Sequence, residues 1–353
     1  MDTLRELFAH NDWARDKLLG LAAGLSDEQL DRPLEMGKGS LRSTLHHLWA
    51  AERIWLDRWL EKPQPKFIEP EPGLPIAALA ERWRTTAGER EALLERLDPD
   101  GGGRRITFTN TKGETYTFPL GDMLLHVSNH GVHHRAQALN MLRHCAVKPP
   151  GLDYLFFRLE QPTVEYETAA REQVRAWGFA MSERPAPPAR FDLDTMGEYF
   201  RYGDWAFECV RSVAERLGDE QLDQRFEMGV GTLRRTLLHI RDAEQWWYDN
   251  WTAGPRPFAK LPETTSLAEL KQRFAETATA RNRYLDGLSD EQLQRAVAAE
   301  IRGTRLSFRL GESLLQLCGH GTHHRAQALN MLRRLGAETP GLDYILWFRD
   351  HAK

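Results

Sequence analysis

Apolar positions along the chain recur first at a helical period. Leu4, Leu7, Phe8, Ala14, Leu18 and Leu19 fall roughly on one face and predict a helix over 2–24. Ser40 is a good N-cap and predicts a second helix over 40–60, SLRSTLHHLWAAERIWLDRWL. Beyond a Pro-rich stretch, IAALAERWRTTAGEREALLERL predicts a third helix near 76–97. The period then changes. RRITFTNTKGETYTFPL alternates β-branched and aromatic residues around Thr111-Lys112-Gly113, the pattern of a β-hairpin near 104–119. Asp122 opens a fourth helix that runs to about 144, and a short segment, GLDYLFFRL, closes the pattern. Four long helices with short connections predict an all-α four-helix bundle with a small β-hairpin before its last long helix, a fold that builds ligand sites from inward side chains on facing helices.

The same pattern then starts again. DEQLDRPLEM at 27–36 returns as DEQLDQRFEM at 219–228, HHRAQALNMLR at 133–143 recurs unchanged at 323–333, and PGLDY stands at both 150–154 and 340–344. In the second copy Thr232 takes the place of Ser40, 266–287 matches the third helix, and Glu312 opens a fourth helix running to about 335. A period this long marks the tandem duplication of a whole domain rather than a solenoid. The expected organisation is a bundle over 1–162, a linker over 163–190 and a second bundle over 191–353. The first part of the linker can extend a helix, whereas its end, ERPAPPAR, has a stiff, extended bias. Because symmetric pairs dominate oligomers, the two copies are expected to form an intramolecular pseudo-dimer.

Composition narrows the class of function. A residue content 41% hydrophobic and 28% charged suits globular domains, and the net charge of −4 offers no basic footprint for nucleic acid. No apolar stretch approaches the ~20 residues of a membrane span, and the charged N-terminus lacks a signal-peptide core. Cys145, Cys209 and Cys318 form no paired framework, which suits a reducing compartment and a cytoplasmic protein without a membrane partner.

The histidines carry the chemistry, and the duplication filters them. His10, His46, His126 and His144 become Tyr202, Leu238, Gln316 and Arg334 in the second copy, so they lose their claim to a shared role. His47/His239 on the second helix survive, with His130/His320, His133/His323 and His134/His324 on the fourth. His130 and His134 are i and i+4, one turn apart on one helix face. Imidazole is the commonest biological metal ligand, two at this spacing can chelate one ion, and a third from a facing helix leaves positions open for water or substrate. A lone histidine on a helix is ordinarily a satisfied or surface residue; its double recurrence beside HxxxH argues against that reading. His133 stays ambiguous, because i,i+3 from His130 lies on the same side. The protease motif HExxH is absent, since Gly131 and Gly321 follow the first histidine.

HLWAAERIW on the second helix and NHGVHHRAQALNMLR on the fourth resemble the DinB/YfiT-like family of helical metal-binding proteins. The likeness covers nearly all of each copy, including NDWA/GDWA on the first helix and the hairpin. It implies one divalent ion per domain, held by His47, His130 and His134 in the first and by His239, His320 and His324 in the second. The family's usual Arg-Gly-Gln after the last ligand is Arg-Ala-Gln here in both copies, a change expected to alter helix packing more than chemistry. The tandem arrangement also departs from the family's usual single domain.

Neighbouring residues divide between structural and functional readings. Gln137/Gln327 and Arg135/Arg325 read first as structural; the alternatives are that the glutamine orients the site or a substrate and that the arginine meets an acid. His133/His323 belong to the same outer group. Asp12/Asp204 read as helix-face charges or as carboxylates accepting the free N–H of a ligand imidazole. Glu52/Glu244 sit five residues past the second-helix histidine, ~140° around, which makes a poor fourth ligand. Trp55/Trp247 and Trp59/Trp251 suit core or interface packing. Cys318 matches Ser128, which argues against a thiolate ligand. No separate catalytic residue is assigned. The family likeness implies a metal-dependent enzyme on small molecules, most concretely a thiol S-transferase using a low-molecular-weight thiol; the alternative is a non-catalytic, stress-related metal-binding protein. Imidazole ligands suit zinc, nickel, iron or copper alike.

Overall fold

Ser40 is extended, and its hydroxyl accepts the Ser43 amide at 3.2 Å, so a helix begins there as predicted. Thr232 caps its own helix in the same way, accepting from the Arg235 amide at 3.1 Å. The computed structural model describes residues 1–63, 65–98, 100–110 and 113–351. Thr111 and Lys112 of the expected hairpin turn lie outside the described residues, as do 352 and 353.

Among the described residues, the first copy contains α1 (Asp2–Ala22), α2 (Asp27–Leu30), α3 (Leu41–Trp59), α4 (Ile76–Arg96), β1 (Arg105–Thr109), β2 (Thr115–Pro119) and α5 (Leu120–His144). There follow α6 (Tyr154–Glu160) and α7 (Thr168–Ala176). The second copy contains α8 (Leu193–Ala214), α9 (Asp219–Leu222), α10 (Leu233–Ala253), α11 (Leu267–Asp286), β3 (Ala296–Ile301), β4 (Thr304–Arg309), α12 (Leu310–Arg334) and α13 (Tyr344–His351). The fold is all-α with two small antiparallel hairpins. In the second hairpin Arg302 and Gly303 take φ of 52° and 77°, the left-handed pair that a two-residue turn of this hand requires.

Three elements differ from expectation. The fourth helix of each copy starts at Leu120 or Leu310, two residues before Asp122 or Glu312. Those acids occupy the first turn instead, where the free N–H groups favour negative charge, and Glu312 accepts the Arg309 amide at 2.9 Å. The recurrent DEQL forms a helix of its own, α2 or α9; Ser26 and Gln29 close a capping box in the first copy. Asp27 and Asp31 then clamp the Arg42 guanidinium, with the Asp31 contact at 2.8 Å, and Asp219 and Asp223 clamp Arg234 likewise. In the linker α7 is a separate helix rather than an extension of α6.

By packing, the chain divides into two compact units, Met1–Pro150 with Gly341–Lys353, and Gly151–Pro340. Repeats and units therefore differ: the closing helix of each repeat belongs to the unit built around the other. In the first unit α13 packs on α5, and the Tyr344 hydroxyl donates to Asp122 at 2.8 Å. In the second α6 packs on α12, and the Leu155 amide donates to the Gln316 side chain at 2.7 Å. Within each bundle the helices neighbour one another in a ring, α1–α5–α3–α4 and α8–α12–α10–α11. Trp55, Trp59, Trp247 and Trp251 are buried. Trp55 packs edge-on to His126, and Trp251 donates to Ser313 at 2.8 Å, so these rings fill the cores of their own units. Among the described residues no helix is long and apolar enough to cross a membrane.

Candidate metal centres

The adjacency of α3 and α5 brings His47 against His130 and His134; α10 and α12 do the same for His239, His320 and His324. In each triad one ligand atom per histidine lies within 4.8 Å of the others. The Nε2 atoms of His47 and His130 are 3.2 Å apart, and those of His239 and His320 are also 3.2 Å apart. Two nitrogens bound tetrahedrally at the ~2.0–2.1 Å usual for zinc stand ~3.3 Å apart, so the residues present fit one transition-metal ion per triad.

A glutamine fixes the third ring. His134 Nδ1 donates to Gln137 Oε1 at 2.7 Å, and His324 Nδ1 donates to Gln327 Oε1 at 2.8 Å. With the proton held on Nδ1, the Nε2 lone pair is left for a metal. The other end of the amide donates to His133 Nε2 at 3.1 Å and to His323 Nε2 at 2.8 Å. His133 and His323 thus stand at the outer end of a relay and outside the triads. Behind the amide lies Gly37, or Gly229, each at φ +55°. A Cβ on Gly37 would come within 2.7 Å of Thr44 Oγ1 and 3.3 Å of Gln137 Oε1. This close approach accounts for Met-Gly in both copies.

Burial disfavours protonation throughout. Desolvation lowers His47 to about 4 and His320 to about 3, and holds His130, His134 and His324 well below the usual histidine range. His239 is lowered for the same reason. The charges of neighbouring histidines add to the effect at His130, His134, His320 and His324. At neutral pH the six rings are therefore neutral before any metal arrives, as ligation requires.

The DinB family model matches residues 1–169 and 192–352. The chain belongs to the DinB family. No curated protein and no solved structure matches it.

Around each DinB centre the acids have partners other than an imidazole. Asp12, read as a helix-face charge or as an acceptor from a ligand ring, accepts at its two oxygens from Arg15 on its own helix, at 2.7 Å, and from Arg90. Arg90 also reaches Glu52, and Arg281 bridges Asp204 and Glu244 in the second copy. A guanidinium this buried must be paired, and it takes the nearest carboxylates on two other helices. Arg135 and Arg325, read first as structural with an acid partner as the alternative, donate to Asn11 and, at 2.9 Å, to Thr322 respectively.

Beside the first centre lies a small pocket, partly open to solvent. Phe8, Leu18, Leu48 and Val127 form its apolar wall, and Asn11, Asp12, Arg15, Glu52, His130 and Arg135 line the rest. Two acids went unnoticed in the sequence. Asp343 is close enough to His47 to favour its charged form, and Asp153 acts likewise on His239 and His320. The signal was the recurrence of PGLDY, but the exchange of closing helices assigns each aspartate to the other repeat's centre.

Proposed function

We propose that each DinB centre is a metal-dependent transferase site for small molecules, with a low-molecular-weight thiol as co-substrate. The observation that carries this reading is the convergence of three imidazole nitrogens with no fourth His, Cys, Asp or Glu in either group among the described residues. Such a donor set leaves coordination positions for a ligand, the layout of catalytic rather than closed structural sites. A divalent ion held by neutral imidazoles keeps its charge, and when bound it supplies a Lewis acid that lowers the pKa of a thiol or water. His47, His130 and His134 would hold it, Gln137 fixes the ring of His134, and Phe8, Leu18, Leu48 and Val127 form an apolar side of the adjacent pocket. In the transfer, the thiol proton passes to solvent, a sulfur–carbon bond forms at an electrophilic carbon, and the bond to the leaving group breaks. Zinc, nickel and iron all suit this donor set.

The test is turnover of 1-chloro-2,4-dinitrobenzene with glutathione by the zinc-, nickel- and iron-loaded protein. The expected result is release of chloride and formation of the thioether, abolished by chelation and by the double variant His47→Ala/His239→Ala. Stoichiometric metal without turnover on this and related thiol–electrophile pairs would overturn it in favour of a non-catalytic metal-binding protein.

A further inference from the structure

The two repeats agree at their ligands and at Gln137/Gln327, yet they differ along one wall beside the centre. Arg15 stands where the second repeat has Phe207, and Asn11 where it has Gly203. Arg15 lines the cavity and is only 8% exposed. Its Nε donates to Asp16 at 2.9 Å and its Nη1 to Asp12 at 2.7 Å, while Nη2 makes no protein hydrogen bond among the described residues. The cavity's two carboxylates are already engaged. Both Asp12 and Glu52 are paired with the buried Arg90, and Glu52 also accepts the Trp83 ring N–H at 2.6 Å. An incoming cation therefore meets no unclaimed carboxylate, whereas an incoming anion meets a guanidinium held rigid on two sides. Arg135, 5% exposed, adds a second positive charge to the same lining.

The second unit presents a different surface at this place. Phe207 stacks on Phe274 with ring centroids 3.9 Å apart, and Arg325 donates to Thr322 with its guanidinium over the Tyr202 ring. An apolar stack has replaced the guanidinium.

We propose that the cavity of the first unit binds a small ligand through its carboxylate, with Arg15 as the specificity-determining residue and Arg135 beside it. The planar fork of arginine suits carboxylate geometry, and the low exposure of Arg15 limits screening of that contact. The second unit does not select for the anion. This inference rests on the reading that the ligand's sulfur occupies the open position at the ion, so its test separates the two.

The cobalt-loaded full chain is titrated with 3-mercaptopropionate and with its neutral counterpart 3-mercapto-1-propanol, followed by thiolate-to-cobalt absorbance. His320→Ala leaves the first centre to be read, and His130→Ala the second. The expected preference for the carboxylate thiol is about tenfold or more at the first centre, the scale of one hydrogen bond to a charged group, and about one at the second. Arg15→Leu brings the first ratio to about one, and Arg15→Lys, which keeps the charge, retains a preference. Equal affinities at the first centre, or a preference that survives Arg15→Leu, would overturn the proposal. If neither thiol produces the absorbance, the thiol reading fails and the anion pocket is judged separately. The Arg15 Nε–H resonance must then shift saturably with butyrate and not with butan-1-ol; no shift with butyrate would sink the pocket as well.

Discussion

Gln137 accepts the Nδ1 proton of His134 at 2.7 Å, and the same contact recurs between Gln327 and His324 at 2.8 Å. Three residues along one helix, this pairing decides which nitrogen of the ring faces the metal. Outer partners of this kind typically contribute 10–100-fold to metal affinity. Gln137→Ala is therefore expected to weaken zinc at the first centre by about 10–100-fold and leave the second unchanged, read by competition with a chromophoric chelator. Gln137→Glu, which keeps an acceptor for Nδ1, should lose much less. Equal affinity in Gln137→Ala and the unaltered protein would remove the glutamine from the site.

Gly37 tests the same support from behind. Its φ of +55° is costly for any side chain, and a Cβ would press on Thr44 and Gln137. Gly37→Ala is expected to cost about 1 kcal/mol or more of stability and to weaken the first centre in the same assay. Normal affinity with normal stability would show that the loop moves aside freely.

Much of this was legible in the chain because it is written twice. The helix caps Ser40 and Thr232 and the third helices follow from spacing and capping residues, recurrence narrows the histidines to four pairs, and the family likeness implies the six of the triads. Three matters were not legible, each for a physical reason. The partners of Asp12 and Arg135 depend on which side chains three helices bring together, and a buried Arg90 claims the carboxylate that looked available for an imidazole. The role of His133 could not be separated from that of His130 by helical angle; it needed the position of the Gln137 amide. The exchange of α6 and α13 between units is a matter of packing, and adjacency in sequence points the other way.

Arg90 predicts a large stability effect. It is fully buried between Asp12 and Glu52, so Arg90→Met leaves the buried Glu52 without its counter-ion and Asp12 with Arg15 alone. The expected loss is about 3–5 kcal/mol in urea unfolding, the scale for removing one partner of a buried ion pair. Arg90→Met with Glu52→Gln should recover part of it. A loss below about 1 kcal/mol in the single variant would mean that solvent, rather than Arg90, neutralises these acids.

Acid should destabilise the metal-free protein. Folding lowers His47 and His126 to about 4 and His320 to about 3, against 6.5 for a free histidine. Between about pH 6.5 and pH 4 the unfolded chain binds protons that the folded chain refuses, so stability is intact above that window and falls as pH falls through it. Each such group contributes up to about 1.4 kcal/mol per pH unit there. The urea midpoint should drop steadily from pH 7 to pH 4.5. A flat or rising midpoint would contradict the burial of these rings.

Counting metal tests the central claim most directly. Elemental analysis of the purified, metal-loaded chain should give two ions, falling to one in His130→Ala or His320→Ala and to none in the double variant. One ion or none in the unaltered chain, or a content of two that survives both substitutions, would contradict it.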